Sequence, residues 1–578
     1  MNLFLRTLII SIFPLSVFSQ TIHTKAEQTN FRQTPGYHEI IKWWKNLDAR
    51  SNMVSLHPMG STDAGYPLHL VIVSASGRET PSTLKASGKL VILVNNGIHP
   101  GEPDGIDASM MLVRDIVVRK KTLPENVVLA IIPVYNIGGC LNRSPFYRVD
   151  QNGPDEFGSR GNSQNYDLNR DFIKSDTREA RSFAKIFQTC DPDIFIDNHV
   201  SNGADYQHVM TLLSSQHNKL GGEMGRYLEE TFEPALYESM RKKGFDLVPY
   251  VNNFSETPET GWSQFFDAPR YSSGYATLFH TFGFTPETHM LKPYEQRVKA
   301  TYALMESFIA FASANDRQIQ SLRQAAKKAS MQQSNFPIAW KRDTVRYKEI
   351  EFKGYSSGKK NSNVSGLPRL YYDRGKPFVK KVPFYNVYVP SDSIERPHSY
   401  VIPQGWWKVI ELLKLNNVVT HPLNKDSSFE VEYYTITDLK TLPRAFEGHH
   451  LHTDVRTEKR RARMQFRKGD IIIPMNQLAN RFVVEVLEPR AMDSYFAWNF
   501  FDPILGQKEG FSSYVFEDTA EQILKNDPEL RQKLEQRKAT DSAFNKSASA
   551  QLNFVYRNSP YYEKEHMRYP VYRVANNK

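Results

Sequence analysis

The alternation of short, wholly apolar runs with amphipathic segments constrains this chain more than any other feature. LHLVIVSAS (68–76), KLVILVNNG (89–97), NVVLAIIPVYN (126–136) and PDIFIDNHV (192–200) are apolar on consecutive positions, the pattern of strands buried on both faces. DGIDASMMLVRDIVVRK (104–120) and DTREARSFAKIFQTC (176–190) lie between them and carry apolar residues at helical spacing. This order predicts an α/β unit over residues 20–314: a mixed, mostly parallel sheet with helices on both faces. In such sheets ligands bind beyond the carboxyl ends of the strands. The stretch from 294 to 333 reads as a long helix or helix pair that closes this unit, with 315–334 as a helical linker. After Ser334 the texture changes. YNVYVP, FEVEYYTIT and FVVEVLEP, separated by turn residues, predict a β-rich accessory region over 335–578, as one or two domains, interrupted by a strand–helix–strand unit over 400–423.

A chain of 578 residues is too long for one typical domain core. Its opening, MNLFLRTLIISIFPLSVFSQ, has one positive charge, an apolar stretch and a small-residue site, which reads as a cleaved signal peptide over 1–19. The expected location is therefore outside the cytoplasm, periplasmic or secreted, with no integral membrane segment. The formal charge is +10, yet Lys and Arg are interspersed with Asp and Glu. RTEKRRARMQFRKGD (456–470) is the one basic cluster, and with few aromatic residues in it a solvated face is expected rather than nucleic-acid binding. Cys140 and Cys190 are the only cysteines, which excludes a four-cysteine zinc site. One bridge between them, or two free thiols, both stay open.

Chemistry enters where polar residues follow the apolar runs. NNGIHPGEPDG (95–105) places His99 and Glu102 in a turn after one predicted strand, and His199 follows another. Pro100, Gly101 and Pro103 disfavour a helix there, so loop geometry must hold the pair. Two strand ends on one sheet edge can bring both imidazoles and the carboxylate to one point. Two His and one Glu suit zinc with a coordination position left open, the arrangement of a catalytic site. SRGNSQNYDLNRDF (159–172) supplies Asn169 and Arg170 side by side, with Arg160 upstream. Such a group can grip a carboxylate bidentately and add a second fixed positive charge. Asp167 is placed to accept the free ring N–H of a metal-binding histidine. In FGFTPETHM (282–290) Glu287 ends a further apolar run, a position suited to moving a proton between water and a leaving amine. His289 shares its strand face and reads as a core residue.

The ordered set HPGE, DLNRDF, DNH and a strand-terminal Glu resembles the zinc carboxypeptidase family, the relatives of pancreatic carboxypeptidase A. MGSTDAGYPLHLVIVS (59–74) is similar to that family's entry turn, and the likeness covers about Tyr37 to Phe311. It implies Zn2+ bound by His99, Glu102 and His199, with Asp167 as the outer partner of His99. It implies Glu287 as general base and acid, and Asn169 and Arg170 as the grip on the substrate's terminal carboxylate. An arginine that stabilises the oxyanion is assigned to Arg160, with Arg148 and Arg143 as rivals, and a capping tyrosine to Tyr275 in preference to Tyr271.

The activity expected is metallocarboxypeptidase hydrolysis of C-terminal peptide bonds. Two alternatives stay open: an amidase acting on peptidoglycan stem peptides with the same site, and an inactive cell-surface protein that binds through its accessory region. EGHHLHTDV (447–455) also offers His450 and His452 as a metal-binding pair, but no third ligand can be named for it.

Overall fold

The computed structural model describes residues 22–252 and 257–575; the signal-peptide expectation for 1–19 lies outside them. Nine strands form the main sheet: β1 (Val54–Ser61), β2 (Pro67–Ser74), β3 (Leu90–Asn95), β4 (Val127–Ile132), β5 (Ile194–Asp197), β6 (His199–Ser201), β7 (Met210–Ser214), β8 (Val248–Pro249) and β9 (Phe282–His289). Their order is β1-β2-β4-β3-β5-β9-β7-β8, with β6 also beside β9. The pairs β3 with β4, β3 with β5, β5 with β9, β6 with β9 and β7 with β8 are parallel, and the other three are antiparallel. The order reverses at β3, whose neighbours are β4 on one side and β5 on the other. That reversal opens a crevice at the carboxyl ends of these strands, the place where α/β sheets bind ligands.

Alternate residues of β3 and β4 feed two separate cores. Leu90, Ile92 and Val94 with Val127, Leu129 and Ile131 face helices α1 (Tyr37–Arg50), α2 (Asp104–Val117) and α4 (Tyr294–Ala314). Val91 and Leu93 with Val128, Ala130 and Ile132 face α3 (Arg178–Cys190) on the other side. Both faces are thus apolar and covered, as continuous apolar runs require. Of the long helix or helix pair expected over 294–333, the structure has the pair: α4 stops at Ala314, and α5 (Asp316–Gln332) follows after Asn315.

The region after Ser334 departs from expectation in two ways. Its strands are there, with long hairpins over Lys348–Asn361/Pro368–Tyr385 and Ser427–Thr441/His452–Phe466. FVVEVLEP, however, lies mostly in helix α6 (Asn480–Leu487), in which Phe482, Val483, Val484, Val486 and Leu487 are all buried. A run buried almost all round has no face to show a helical period, and its β-branched content misleads. Residues 513–557 are also helical, with segments at Ser513–Asn526, Pro528–Thr540, Ser542–Asn545 and Ala548–Arg557.

The second departure is that the region is not a separate core. Phe187, Tyr275 and Phe279 share one cluster with Val409, Leu413, Phe482 and Trp498, and Phe279 stacks on Phe482 with ring centres 5.3 Å apart. Trp262 and Ser263 pair in parallel with Phe384 and Tyr385. The basic strand 456–466 lies opposite acidic partners, with Arg461 2.7 Å and Lys459 3.4 Å from Glu432. Cys140 and Cys190 are both free and buried, so the possible bridge is not formed.

Candidate metal centre and catalytic cavity

His99 and Glu102 stand at the two ends of one turn, closed by Glu102 N–H donating to the His99 carbonyl at 2.8 Å. The turn needs its glycines. Gly97 has φ of 63°, the left-handed region that disfavours side chains. A Cβ on Gly101 would lie 2.6 Å from Arg148 Cδ and 2.8 Å from the Gly158 carbonyl oxygen. Helix α2 begins at Asp104, directly after Pro103, so the pair is held by the loop as expected.

The third residue comes from the neighbouring strand. His199 starts β6, in register with Glu287 of β9. One ligand atom from each of His99, Glu102 and His199 lies within 4.8 Å of the others, and all three residues are buried. Glu102 Oε2 is 3.4 Å from His99 Nδ1 and 3.2 Å from His199 Nδ1, and Val200 N–H donates to it at 2.9 Å. The far nitrogens are both occupied: His99 Nε2 is 2.8 Å from Asp167 Oδ1, and His199 Nε2 is 2.9 Å from Asp197 Oδ2. Each ring therefore turns Nδ1 inward with its orientation fixed by a carboxylate, the usual outer support of metal-binding histidines. His99 Nδ1 is buried with no hydrogen-bond partner. Buried polar atoms seldom go unpaired, and a metal ion would satisfy this one. The two-nitrogen, one-carboxylate donor set suits zinc.

Electrostatics agree with the geometry. Burial pushes the Glu102 carboxyl up, but Arg148, His99 and the hydrogen bonds outweigh it and hold the group well below its usual range. Asp167 is likewise held far down against burial by His99, Arg160 and Arg170. Glu287 is pushed up to about 8 by burial, opposed by His199, reinforced by Glu102 and opposed again by the arginines. Unlike the other two, among the described residues it forms no ion pair with a cation, which suits a group that exchanges a proton.

These groups line a cavity of about 420 Å³ together with Arg148, Arg160, Asn169, Arg170 and Tyr271. Arg148 has every nitrogen committed, to Gln151 Oε1, Glu102 Oε1 at 2.7 Å and the Val200 carbonyl at 3.1 Å. Arg160 spends Nε and Nη2 on Asp167 and leaves Nη1 3.6 Å from Glu102. Arg143 turns away to Glu156 and is not part of the cavity lining. Arg170 lies 4.7 Å over the Tyr271 ring, and Asn169 Oδ1 is buried without a partner. The tyrosine assignment is corrected. Tyr275 is fully buried, its hydroxyl donating to Asn416 at 2.6 Å, whereas Tyr271, just before the helical turn Ser272–Thr277, reaches the cavity.

Several contributors escaped the sequence reading. Asn95 donates to Asp197 at 2.9 Å and Asn198 to Asn96 at 2.8 Å, so the adjacent asparagines of NNG lock the loop to DNH. The Asp-x-His spacing places Asp197 and His199 on one face of a strand, which was the available signal. Glu447, from the C-terminal region, accepts the Asp167 backbone N–H at 2.9 Å. The histidine cluster around it disperses: His449 binds Asp176 at 2.7 Å, His452 binds Asp502 at 2.9 Å, and His450 contacts the Leu442 carbonyl. His289 is a core residue, bonded to the Ala204 carbonyl at 2.8 Å.

With the geometry in place, residues 40–220 match the family described as zinc carboxypeptidase. That segment carries a zinc carboxypeptidase domain. Carboxypeptidase 2 of Trichophyton rubrum is 21% identical over 483 residues, covering 80% of this chain and 83% of the relative. Probable carboxypeptidase 2 of Arthroderma benhamiae is 21% identical over 451 residues, covering 74% and 78%. A metallo-carboxypeptidase from Pseudomonas aeruginosa superposes with a TM-score of 0.36 at 14% identity, over 48% of this chain and 68% of the other. The match over 483 residues is longer than the segment 20–314, so part of the C-terminal region of this chain is shared with its relative.

The carboxylates behind the histidines are expected to carry a measurable share of metal binding at this candidate centre. Asp167→Asn and Asp197→Asn are each expected to weaken zinc binding about 10- to 100-fold. Competition with a chromophoric chelator measures this; unchanged affinity in both would remove their orienting role.

Proposed function

We propose that the protein is an exported carboxypeptidase that removes single residues from the free C-terminus of peptides, with Glu287 moving the proton. The observation that carries this reading is that one cavity holds the His99–Glu102–His199 donor set, Glu287 in register with His199, and Arg170 beside Asn169. Zinc bound there supplies a Lewis acid and lowers the pKa of a water molecule. Glu287 takes the proton of the attacking water and passes it to the leaving amine. Arg160, through its least committed nitrogen, stabilises the developing oxyanion. Arg170 and Asn169 hold the terminal carboxylate, which sets which bond faces Glu287. Export rests on the signal-like pattern of residues 1–19; among the described residues no helix is long and apolar enough to cross a membrane.

The test compares a peptide with a free C-terminus and its C-terminal amide, following amino-acid release by mass spectrometry. The free acid is expected to be cleaved and the amide to be at least about tenfold poorer, since a charge-assisted hydrogen bond contributes about 1.5–3 kcal/mol. Arg170→Met should erase that preference. Equal cleavage of acid and amide by the unaltered protein would overturn the C-terminal assignment.

A further inference from the structure

A second cavity, of about 390 Å³, lies between the helical turns His217–Leu220 and Gly222–Tyr227, helix α5 and helix α6. Its size is within the range of small-molecule sites, about 300–1,000 Å³. It shares no lining residue with the catalytic cavity. Leu322, Ala325 and Ala329 of α5, with Phe336 and Trp340, form apolar walls, and the two alanines leave the space open.

The polar groups at one end are unusual. Arg481 donates to the Lys219 carbonyl, yet among the described residues it forms no ion pair, although Arg and Lys are rarely enclosed without one. His280, only 5% exposed, has no hydrogen-bond partner on either ring nitrogen, and the Ser330 hydroxyl also has none. Both line the cavity. The remaining charges are already engaged: Lys219 binds the Asp267 carboxylate at 3.2 Å, and Glu223 pairs with Arg226 at 3.1 Å on the surface. Burial, with Arg481, Arg323 and Lys327 nearby, drives His280 down to about 3, so the imidazole is neutral and the local field is positive. A guanidinium that Glu485 and Asp267 attract without a contact ion pair, a neutral imidazole and a hydroxyl without partners complement an anion that accepts hydrogen bonds.

We propose that this cavity is a binding site, separate from the zinc centre, for a small organic carboxylate with an apolar body. Arg481 grips the carboxylate, the His280 ring and Ser330 hydroxyl complete its hydrogen bonds, and Ala325, Ala329 and Trp340 enclose the body. Neither part suffices alone: the walls offer nothing to a free inorganic anion, and an amine would meet Arg481.

Octanoate is the probe, titrated calorimetrically into the full-length mature protein beside acetate and octylamine. Octanoate is expected to saturate one site at sub-millimolar to millimolar concentration, with acetate and octylamine at least about tenfold weaker. Arg481→Met should weaken octanoate about tenfold or more, and Ala329→Phe, which fills the cavity while keeping Arg481, should abolish binding. Both variants should keep the hydrolytic rate. Arg170→Met, which alters only the catalytic cavity, should leave octanoate binding intact. No saturation, or binding that survives both cavity variants, or binding lost in Arg170→Met, would each overturn the proposal.

Discussion

Glu287→Gln is expected to lower kcat by about 10²- to 10⁴-fold, the usual contribution of a positioned general base, while about one zinc per chain stays bound. The reasoning is local. Glu287 faces His199 across the β6–β9 pair but is not one of the three residues whose ligand atoms converge. Glutamine keeps the size and a hydrogen-bonding end but cannot accept the proton. Paired measurements of steady-state kinetics and metal content by mass spectrometry check both halves. A variant that hydrolyses at the original rate would sink the proton-transfer role; one that loses zinc would instead make Glu287 part of metal retention. His99→Ala serves as the contrast, since it should lose the metal and the activity together.

A chain ending at residue 334 is expected not to form a stable native state, so that all activity is lost. Removing residues 335–578 would strip one face of the main sheet of part of its cover and leave Phe279 and Tyr275 without Phe482 and Asn416. It would also cut the ion pairs Arg270–Asp493 and His449–Asp176, at 2.6 and 2.7 Å, and the Glu447 contact to Asp167. Exposed apolar surface of this extent favours aggregation over folding. Soluble yield and the cooperativity of thermal unfolding, compared with the full chain, measure the effect. A truncated protein that unfolds cooperatively and cleaves peptides would show that the catalytic unit folds by itself.

Within the strands of the main sheet and the turn at His99, the reading from sequence and the structure coincide. Consecutive apolar residues mark strands covered on both sides, and β3, β4 and β5 are buried at every position. Pro and Gly around His99 and Glu102 keep that pair out of a helix, and the turn closed by the His99 carbonyl holds them. These are short-range consequences of covalent geometry and burial. The ordering of Tyr271 and Tyr275 was already beyond that range, because Tyr271 has extended backbone just before the helical turn and reaches the cavity, whereas Tyr275 lies inside the turn and is buried in the core.

What only the tertiary structure decided lies between segments distant in the chain. The Asn95–Asp197 and Asn96–Asn198 bonds join residues about a hundred positions apart, and they require the β3–β5 register to bring them together. Whether FVVEVLEP became strand or helix depended on what surrounded it, since a run buried almost all round satisfies either pattern. The same holds for the C-terminal region, whose apolar residues complete the catalytic unit's core. The chemistry of the candidate metal-binding residues was therefore written into their local sequence. The partners that orient them, and the cover that keeps the sheet folded, were settled by register and packing, because those energies depend on which surfaces meet.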